Sequence, residues 1–138
     1  MRETLLRGVP TALLAGFMMF MGTLHFVADD LFVQVVPPWM PAPMWCVWLS
    51  GVAELALGVG LLPVRMRRLA GLGLVALYVA VFPANLYMAV ADVQIQGLPA
   101  WVTQPTPLQL WLRLPFQLVF IAWALYVSRL ERPSRLER

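Results

Sequence analysis

The sequence contains no lysine, one cysteine and one histidine. Of its 138 residues, ten are arginine and seven are acidic, so charged residues make up 12% of the chain, against about a quarter in soluble domains. A single cysteine excludes an intrachain disulfide and a C-x-x-C redox pair, and we interpret Cys46 as a small apolar residue at a helix end. With His25 alone and no cysteine cluster, the sequence predicts no metal site.

Long apolar runs fill most of the chain. Hydrophobic residues account for 61% of it, and the mean hydropathy is +0.76. A helix of about 20 residues crosses a hydrocarbon core of roughly 30 Å, and four runs reach that length. The first run is too long for the apolar part of a signal peptide, and no A-x-A-like cleavage site follows it, so we expect it to be retained.

These runs predict an all-α membrane protein, an antiparallel bundle of four transmembrane helices that forms a single domain over residues 1–138. The expected helices cover about residues 8–27, 43–62, 69–91 and 107–128. Residues 30–36 are expected to form a short helix in the membrane interface, and residues 63–68 a tight turn. Residues 129–138 are expected to form a solvated helical end.

The arginines indicate how the bundle is oriented. They flank the apolar runs at the N-terminus, in the 63–68 turn and in the C-terminal tail, whereas the two longer loops contain none. By the positive-inside rule, both termini are predicted to be cytoplasmic. This pattern also argues against nucleic acid as a partner. Four tryptophans gather at the opposite surface, as in an aromatic belt: Trp39, Trp45, Trp101 and Trp111.

Glu54 is the charged residue of the second apolar run. A charge at that depth is costly and usually faces a partner inside the bundle. Ser50 and Gly58 share its helix face, and small residues there allow another helix to come close. Arg113 has a long stem and a guanidinium that matches a carboxylate, so we expect it to contact Glu54 directly or through one water. Such a pair could serve a ligand or only hold two helices together.

Other polar residues are expected at a similar level. At 1.5 Å per residue, His25, Asn85 and Arg113 lie in the half of the bundle near the longer loops, and Glu54 lies near the middle. Pro83 and Pro115 would splay the helices there and open a cavity lined by methionine and aromatic residues. The candidate ligand-binding residues are His25, Glu54, Tyr78, Asn85, Arg113 and Gln117.

A structural role is the alternative for several of these side chains. His25 could be an interfacial or capping histidine. Asn85 could satisfy the carbonyl near Val79 that Pro83 leaves without a donor. Gln109 and Gln117 could brace Arg113.

Five segments of the chain resemble the DoxX/DoxD-like family of small bacterial integral membrane proteins. They are His25-Phe26, Val36-Pro-Pro-Trp-Met-Pro41, Ser50-Gly-Val-Ala-Glu54, Arg67-Arg-Leu-Ala-Gly71 and Phe82-Pro-Ala-Asn-Leu-Tyr-Met88. The resemblance implies a four-helix protein of the bacterial inner membrane. It also implies links to quinone-coupled thiosulfate oxidation, to thiol-redox complexes, and to assembly factors for membrane proteins. The matching positions are His25, Pro38, Pro41, Gly51, Glu54, Pro83 and Asn85.

Three functions are compatible with these observations. The first is binding of a quinone, lipid or similar apolar molecule in the cavity, as an accessory to a redox system and without enzymatic activity of its own. A bound quinone is then the cofactor the sequence suggests. The second is a structural or assembly module for other membrane proteins. The third is a small proton-coupled exporter, which the strong charge bias disfavours. The sequence leaves open whether the chain forms a homo-oligomer.

Overall fold

The computed structural model describes the backbone of residues 2–130 and the side chains of residues 8–130, and every regular element in that part of the chain is helical. The helices are, in chain order, α1 (Arg2–Val27), α2 (Asp29–Phe32), which continues into a 3-10 turn (Val33–Val35), α3 (Pro43–Gly60), α4 (Val64–Val90) and α5 (Pro107–Arg129). The four longer helices are each apolar enough to cross a membrane. The prediction of an all-α bundle with four spanning helices is therefore confirmed.

The long helices run antiparallel between two unlike ends. We call the end with the short 61–63 connection the turn end, and the end with the 28–42 and 91–106 connections the loop end. α1 packs along α3, α4 packs along α5, and α3 also contacts α4. Between α1 and α5, Phe17 stacks on Phe120 with ring centroids 4.9 Å apart. The Trp123 indole N–H donates to the Pro10 carbonyl at 3.2 Å.

The predicted turn at residues 63–68 is shorter than expected. α4 begins at Val64, directly after Pro63, which is extended and precedes the helix. Arg67 donates from Nε to the Leu61 carbonyl at 3.0 Å and from Nη2 to the Leu62 carbonyl at 3.2 Å. These bonds satisfy carbonyls at the end of α3, so the arginine cap replaces a longer turn. The helical end predicted at 129–138 lies almost entirely outside the described residues, which end at residue 130.

Glycines set the distance between α1 and α3. A Cβ added to Gly51 would lie 2.7 Å from His25 Cβ, and one added to Gly22 would lie 2.9 Å from the Gly51 carbonyl oxygen. A Cβ on Gly58 would lie 3.0 Å from Met19 Cγ. The expected close approach at Gly58 is therefore present, and Gly51 shares it in place of Ser50. This contact places His25, near the end of α1, beside Gly51 of α3.

The apolar core fills the turn-end half of the bundle. It joins side chains of α1, α4 and α5 with Leu61, which directly follows α3, and it comprises Leu14, Ala15, Met18, Leu61, Ala70, Leu74, Tyr78, Ala124 and Val127. A smaller buried group, Met88, Ala89 and Leu110, lies nearer the loop end and packs against Val35. Space between these two groups is left for a cavity.

Side-chain amides hold the two long loops over the bundle. Gln34 Nε2 donates to the Gln96 carbonyl at 3.0 Å, and the Gln96 N–H returns a bond of 2.7 Å to Gln34 Oε1. Gln104 makes the same two-way pairing with the backbone of Ile95. The Trp48 indole N–H donates to Asp29 at 3.1 Å and so fixes α2 on α3. The short helix expected in this loop is formed by α2 and the 3-10 turn.

We expect Gly51→Ala to lower the free energy of unfolding by about 1–3 kcal/mol, because the new methyl group clashes with His25 and Phe26. Gly16→Ala is the matched control in α1, since a Cβ there meets nothing within 4 Å. Thermal unfolding in detergent, followed by circular dichroism, compares the two variants. Equal melting temperatures would show that the glycine contact does not control helix packing.

Candidate functional site

A cavity of about 550 Å³ lies in the loop-end half of the bundle, between the apolar core and the two loops. Its walls are mostly methionine, phenylalanine, valine and leucine side chains. All of the predicted ligand-binding residues line it: His25, Glu54, Tyr78, Asn85, Arg113 and Gln117. The structure thus brings every one of these side chains to the same space, although they come from four helices.

His25 and Glu54 face each other across the contact between α1 and α3. His25 Nδ1 lies 3.3 Å from Glu54 Oε2, and the two side chains are 11% and 14% exposed. The close approach at Gly51, one turn before Glu54, places the histidine there. The Phe32 ring stacks on the imidazole at 4.1 Å and covers it from the loop side.

The Glu54 carboxyl is not fully satisfied by this contact. His25 Nδ1 also lies 2.9 Å from the Met21 carbonyl, which can only accept a hydrogen bond. Nδ1 therefore carries its hydrogen, and the shorter contact directs that hydrogen to Met21. Among the described side chains, Glu54 Oε2 is the buried polar atom that has no hydrogen-bond partner. A buried oxygen left in this state costs free energy that a donor from a bound molecule would recover.

Asn85, Gln117 and Tyr78 form a separate set of contacts between α4 and α5. Asn85 Nδ2 donates to Gln117 Oε1 at 3.0 Å, and Gln117 Nε2 donates to the Tyr78 carbonyl. The Tyr78 hydroxyl lies 3.3 Å from the Met18 sulfur. Gln117 therefore donates to the carbonyl next to that of Val79, whereas Asn85, which we had considered as the donor near Val79, bonds to Gln117. Both amides thus take part in the contact between α4 and α5.

Arg113 does not contact Glu54. Its Nη1 lies 3.5 Å from the Met88 sulfur, a weak acceptor, and the side chain is exposed. The expectation of a direct Glu54–Arg113 pair is wrong, because the close packing of α1 on α3 gives Glu54 a histidine neighbour instead. Both side chains line the same cavity, so a bridge through water stays a prediction.

Gln109 does not brace Arg113 either. It completes a capping box at the start of α5, where its Oε1 accepts from the Thr106 N–H at 2.8 Å. The pattern Thr-x-x-Gln before an apolar run is a sequence signal for that cap. Cys46, which we interpreted only as a helix-end residue, lines the cavity.

Several residues that line the cavity are also exposed on the surface of the bundle, and they lie on two of its sides. Phe17 and Phe116 lie on the α1 and α5 side, and Met40 and Pro83 lie on the other side, near the start of α3. The first loop covers the cavity with Leu31, Phe32, Val35 and Val36, and the second with Ile95 and Leu98.

Four apolar helices around a cavity with a few polar groups define a multi-pass membrane protein. The chain belongs to the family described as Domain of unknown function (DUF8561), whose model matches residues 14–128. No curated protein and no solved structure matches the chain.

The family match overturns the resemblance to the DoxX/DoxD-like family. The matched residues include all five segments on which that resemblance rested. Those segments contain prolines at helix boundaries, glycines at close helix contacts and aromatic residues. Since any tightly packed membrane bundle uses these residue types for the same physical purposes, they did not identify the family.

We expect His25→Ala to destabilise the protein by about 1–3 kcal/mol, because it removes the neighbour of a buried carboxyl. In the His25→Ala chain, Glu54→Gln should recover part of that loss, since a neutral amide is less costly to bury. Thr23→Ala is the control, as Thr23 is exposed on the same helix and bonds only to the Met19 carbonyl. Chemical unfolding in detergent gives the coupling energy, and strictly additive effects would contradict the interaction.

Proposed function

We propose that this protein binds an amphiphilic small molecule from the bilayer, with a hydrogen-bond donor on the polar part of the ligand directed at Glu54. The unpartnered Glu54 Oε2 carries this proposal, because it is buried and belongs to a side chain that lines the cavity. His25 fixes the position of the carboxyl from the α1 side. The ligand donates a hydrogen bond to Glu54 Oε2, which has no donor among the described residues.

The cavity suits such a ligand in size and composition. Small-molecule sites are commonly about 300–1,000 Å³, with apolar walls and a few polar groups, and this cavity of about 550 Å³ falls within that range. A drug-sized portion of the ligand fits inside the cavity. A longer apolar chain can extend into the bilayer beside Phe116 or Pro83, which line the cavity and are exposed. The floor is formed by Met18 and Tyr78, above the packed core.

A quinol and a hydroxyl-bearing lipid both provide the required donor. If the ligand is a quinone-type molecule, the protein is an accessory to a redox system. Electrons are then carried by the ligand or by a partner, since the contribution of such a protein is binding and orientation. Nothing in this arrangement requires the chain to catalyse a reaction itself.

A structural or assembly module is the second candidate. The observation that favours it is the Asn85–Gln117–Tyr78 set, in which buried polar groups satisfy one another and join α4 to α5. Such contacts stabilise helix packing without a ligand. In this case the polar residues would serve the bundle, and the outer surface would contact other membrane proteins.

Native mass spectrometry of the gently solubilised protein separates the two candidates. We expect one bound small molecule per chain, identified after solvent extraction by its mass and ultraviolet spectrum. Glu54→Gln should retain about fivefold less of it, because an amide nitrogen, which only donates, replaces one of the two acceptor oxygens. Asp30→Asn is the matched control, since Asp30 is exposed and does not line the cavity. An unliganded mass for the wild type in several detergents, together with loss of stability in Glu54→Gln, would favour the assembly module.

We also propose that the protein resides in a bacterial inner membrane with its turn end in the cytoplasm. Arg65, Arg67 and Arg68 lie at the turn end, whereas Asp29, Asp30 and Asp92 lie at the loop end. This difference in charge supports the orientation given by the positive-inside rule.

Single cysteines test that orientation in a Cys46→Ser chain, which has no other thiol. We expect Ala100→Cys, in the 91–106 loop, to react with a membrane-impermeant maleimide in spheroplasts. Val64→Cys, at the turn end, should react only after the membrane is disrupted. Both residues are exposed, so accessibility is set by the membrane side alone. The reverse pattern would place the turn end outside.

A further inference from the structure

A second, smaller cavity of about 380 Å³ lies beneath the 91–106 loop. It adjoins the main cavity, because Ile95, Leu98 and Arg113 line both of them. The two-way bonds of Gln104 to Ile95, and of Gln34 to Gln96, hold the covering loop in place. The two spaces are therefore neighbours, and Arg113 is one of the three residues that border both.

The polar groups of the second cavity are mainly donors. Gln109 uses its Oε1 to accept from the Thr106 backbone, which leaves its Nε2 hydrogens for other partners. The Thr103 hydroxyl and the Arg113 guanidinium add further hydrogens. None of the described residues that line this cavity is acidic. Such a lining favours an acceptor, and a negatively charged one most strongly.

Arg113 lacks the partner that an arginine at this depth normally has. Within residues 8–130, its one hydrogen-bond contact is the Met88 sulfur at 3.5 Å, which is a poor acceptor for a guanidinium. Glu54, on α3, lies beside His25 of α1. Of the two cavities, it lines the main one. A guanidinium has five N–H donors in a planar fork that matches phosphate and carboxylate oxygens.

We propose that the second cavity holds an anionic head group, a phosphate or a carboxylate, of an amphiphile whose apolar part occupies the main cavity. Arg113 binds the anion, and Thr103 and Gln109 donate further hydrogen bonds to it. The inference rests on the proposed binding function and adds the charge of the ligand to it. A single-chain lipid with a hydroxyl next to its phosphate would satisfy Glu54 and Arg113 together.

Two chain-matched amphiphiles test the charge preference. The full-length protein in a neutral polyoxyethylene detergent is titrated with dodecyl phosphate and with dodecyl glucoside, and bound copies are counted by native mass spectrometry. We expect dodecyl phosphate to bind about tenfold more tightly or better. Arg113→Gln should remove most of that preference by weakening dodecyl phosphate binding more than glucoside binding, because a lost charge-assisted contact is worth about tenfold or more. Arg113→Lys should keep part of it.

Arg65→Gln is the matched control, since Arg65 is exposed at the turn end and far from both cavities. Equal affinity for the two amphiphiles, or an equal loss of both in Arg113→Gln, would overturn the anionic head group while amphiphile binding stands. Failure of both probes to bind the wild type would overturn the proposed function as well. Inorganic phosphate that binds as tightly as dodecyl phosphate would assign the site to a free anion and overturn its assignment to a lipid head.

Discussion

The close contact between α1 and α3 is the constraint on which the site depends. Without side chains at Gly22, Gly51 and Gly58, the two backbones meet at distances where a Cβ would clash. That approach forces His25 against Glu54 and gives the carboxyl a neighbour inside the bundle. It leaves the space beyond these helices open, because α5 contacts α1 mainly toward the turn end, through Phe120 and Trp123.

Polar groups inside the bundle fall into two kinds. Asn85 and Gln117 satisfy each other and a backbone carbonyl, as expected of residues that hold membrane helices together. Glu54 and Arg113 line the same cavity, yet neither has a strong hydrogen-bond partner. Buried polar groups are normally paired, so the unpartnered Glu54 Oε2 supports the proposal that a ligand completes this site. In the proposed function, stability and binding therefore depend on different residues at the same level of the bundle.

The predicted direct contact between Glu54 and Arg113 was wrong for a geometric reason. Counting residues along a helix gives the depth of a side chain but not the direction in which the helix turns it. Depth placed His25, Asn85, Arg113 and Glu54 near one another, and they do line one cavity. Which of them touch depends on the rotation of each helix, and glycine contacts between α1 and α3 decide that rotation. The assignment to the DoxX/DoxD-like family was wrong for a related reason. It rested on short segments, and short segments reflect local packing needs that unrelated membrane bundles share.

The sequence by itself determined the class of the protein. Four apolar runs, with nine of the ten arginines outside them, suffice for a four-helix membrane bundle, because bilayer thickness and backbone hydrogen bonding leave few alternatives. It also supplied the residues that line the cavity. Only the tertiary structure decided that Glu54 has His25 beside it, that Gln117 is occupied by Asn85, and that Arg113 stands between two cavities. These outcomes depend on distances of a few ångströms between helices far apart in sequence, which no local pattern encodes.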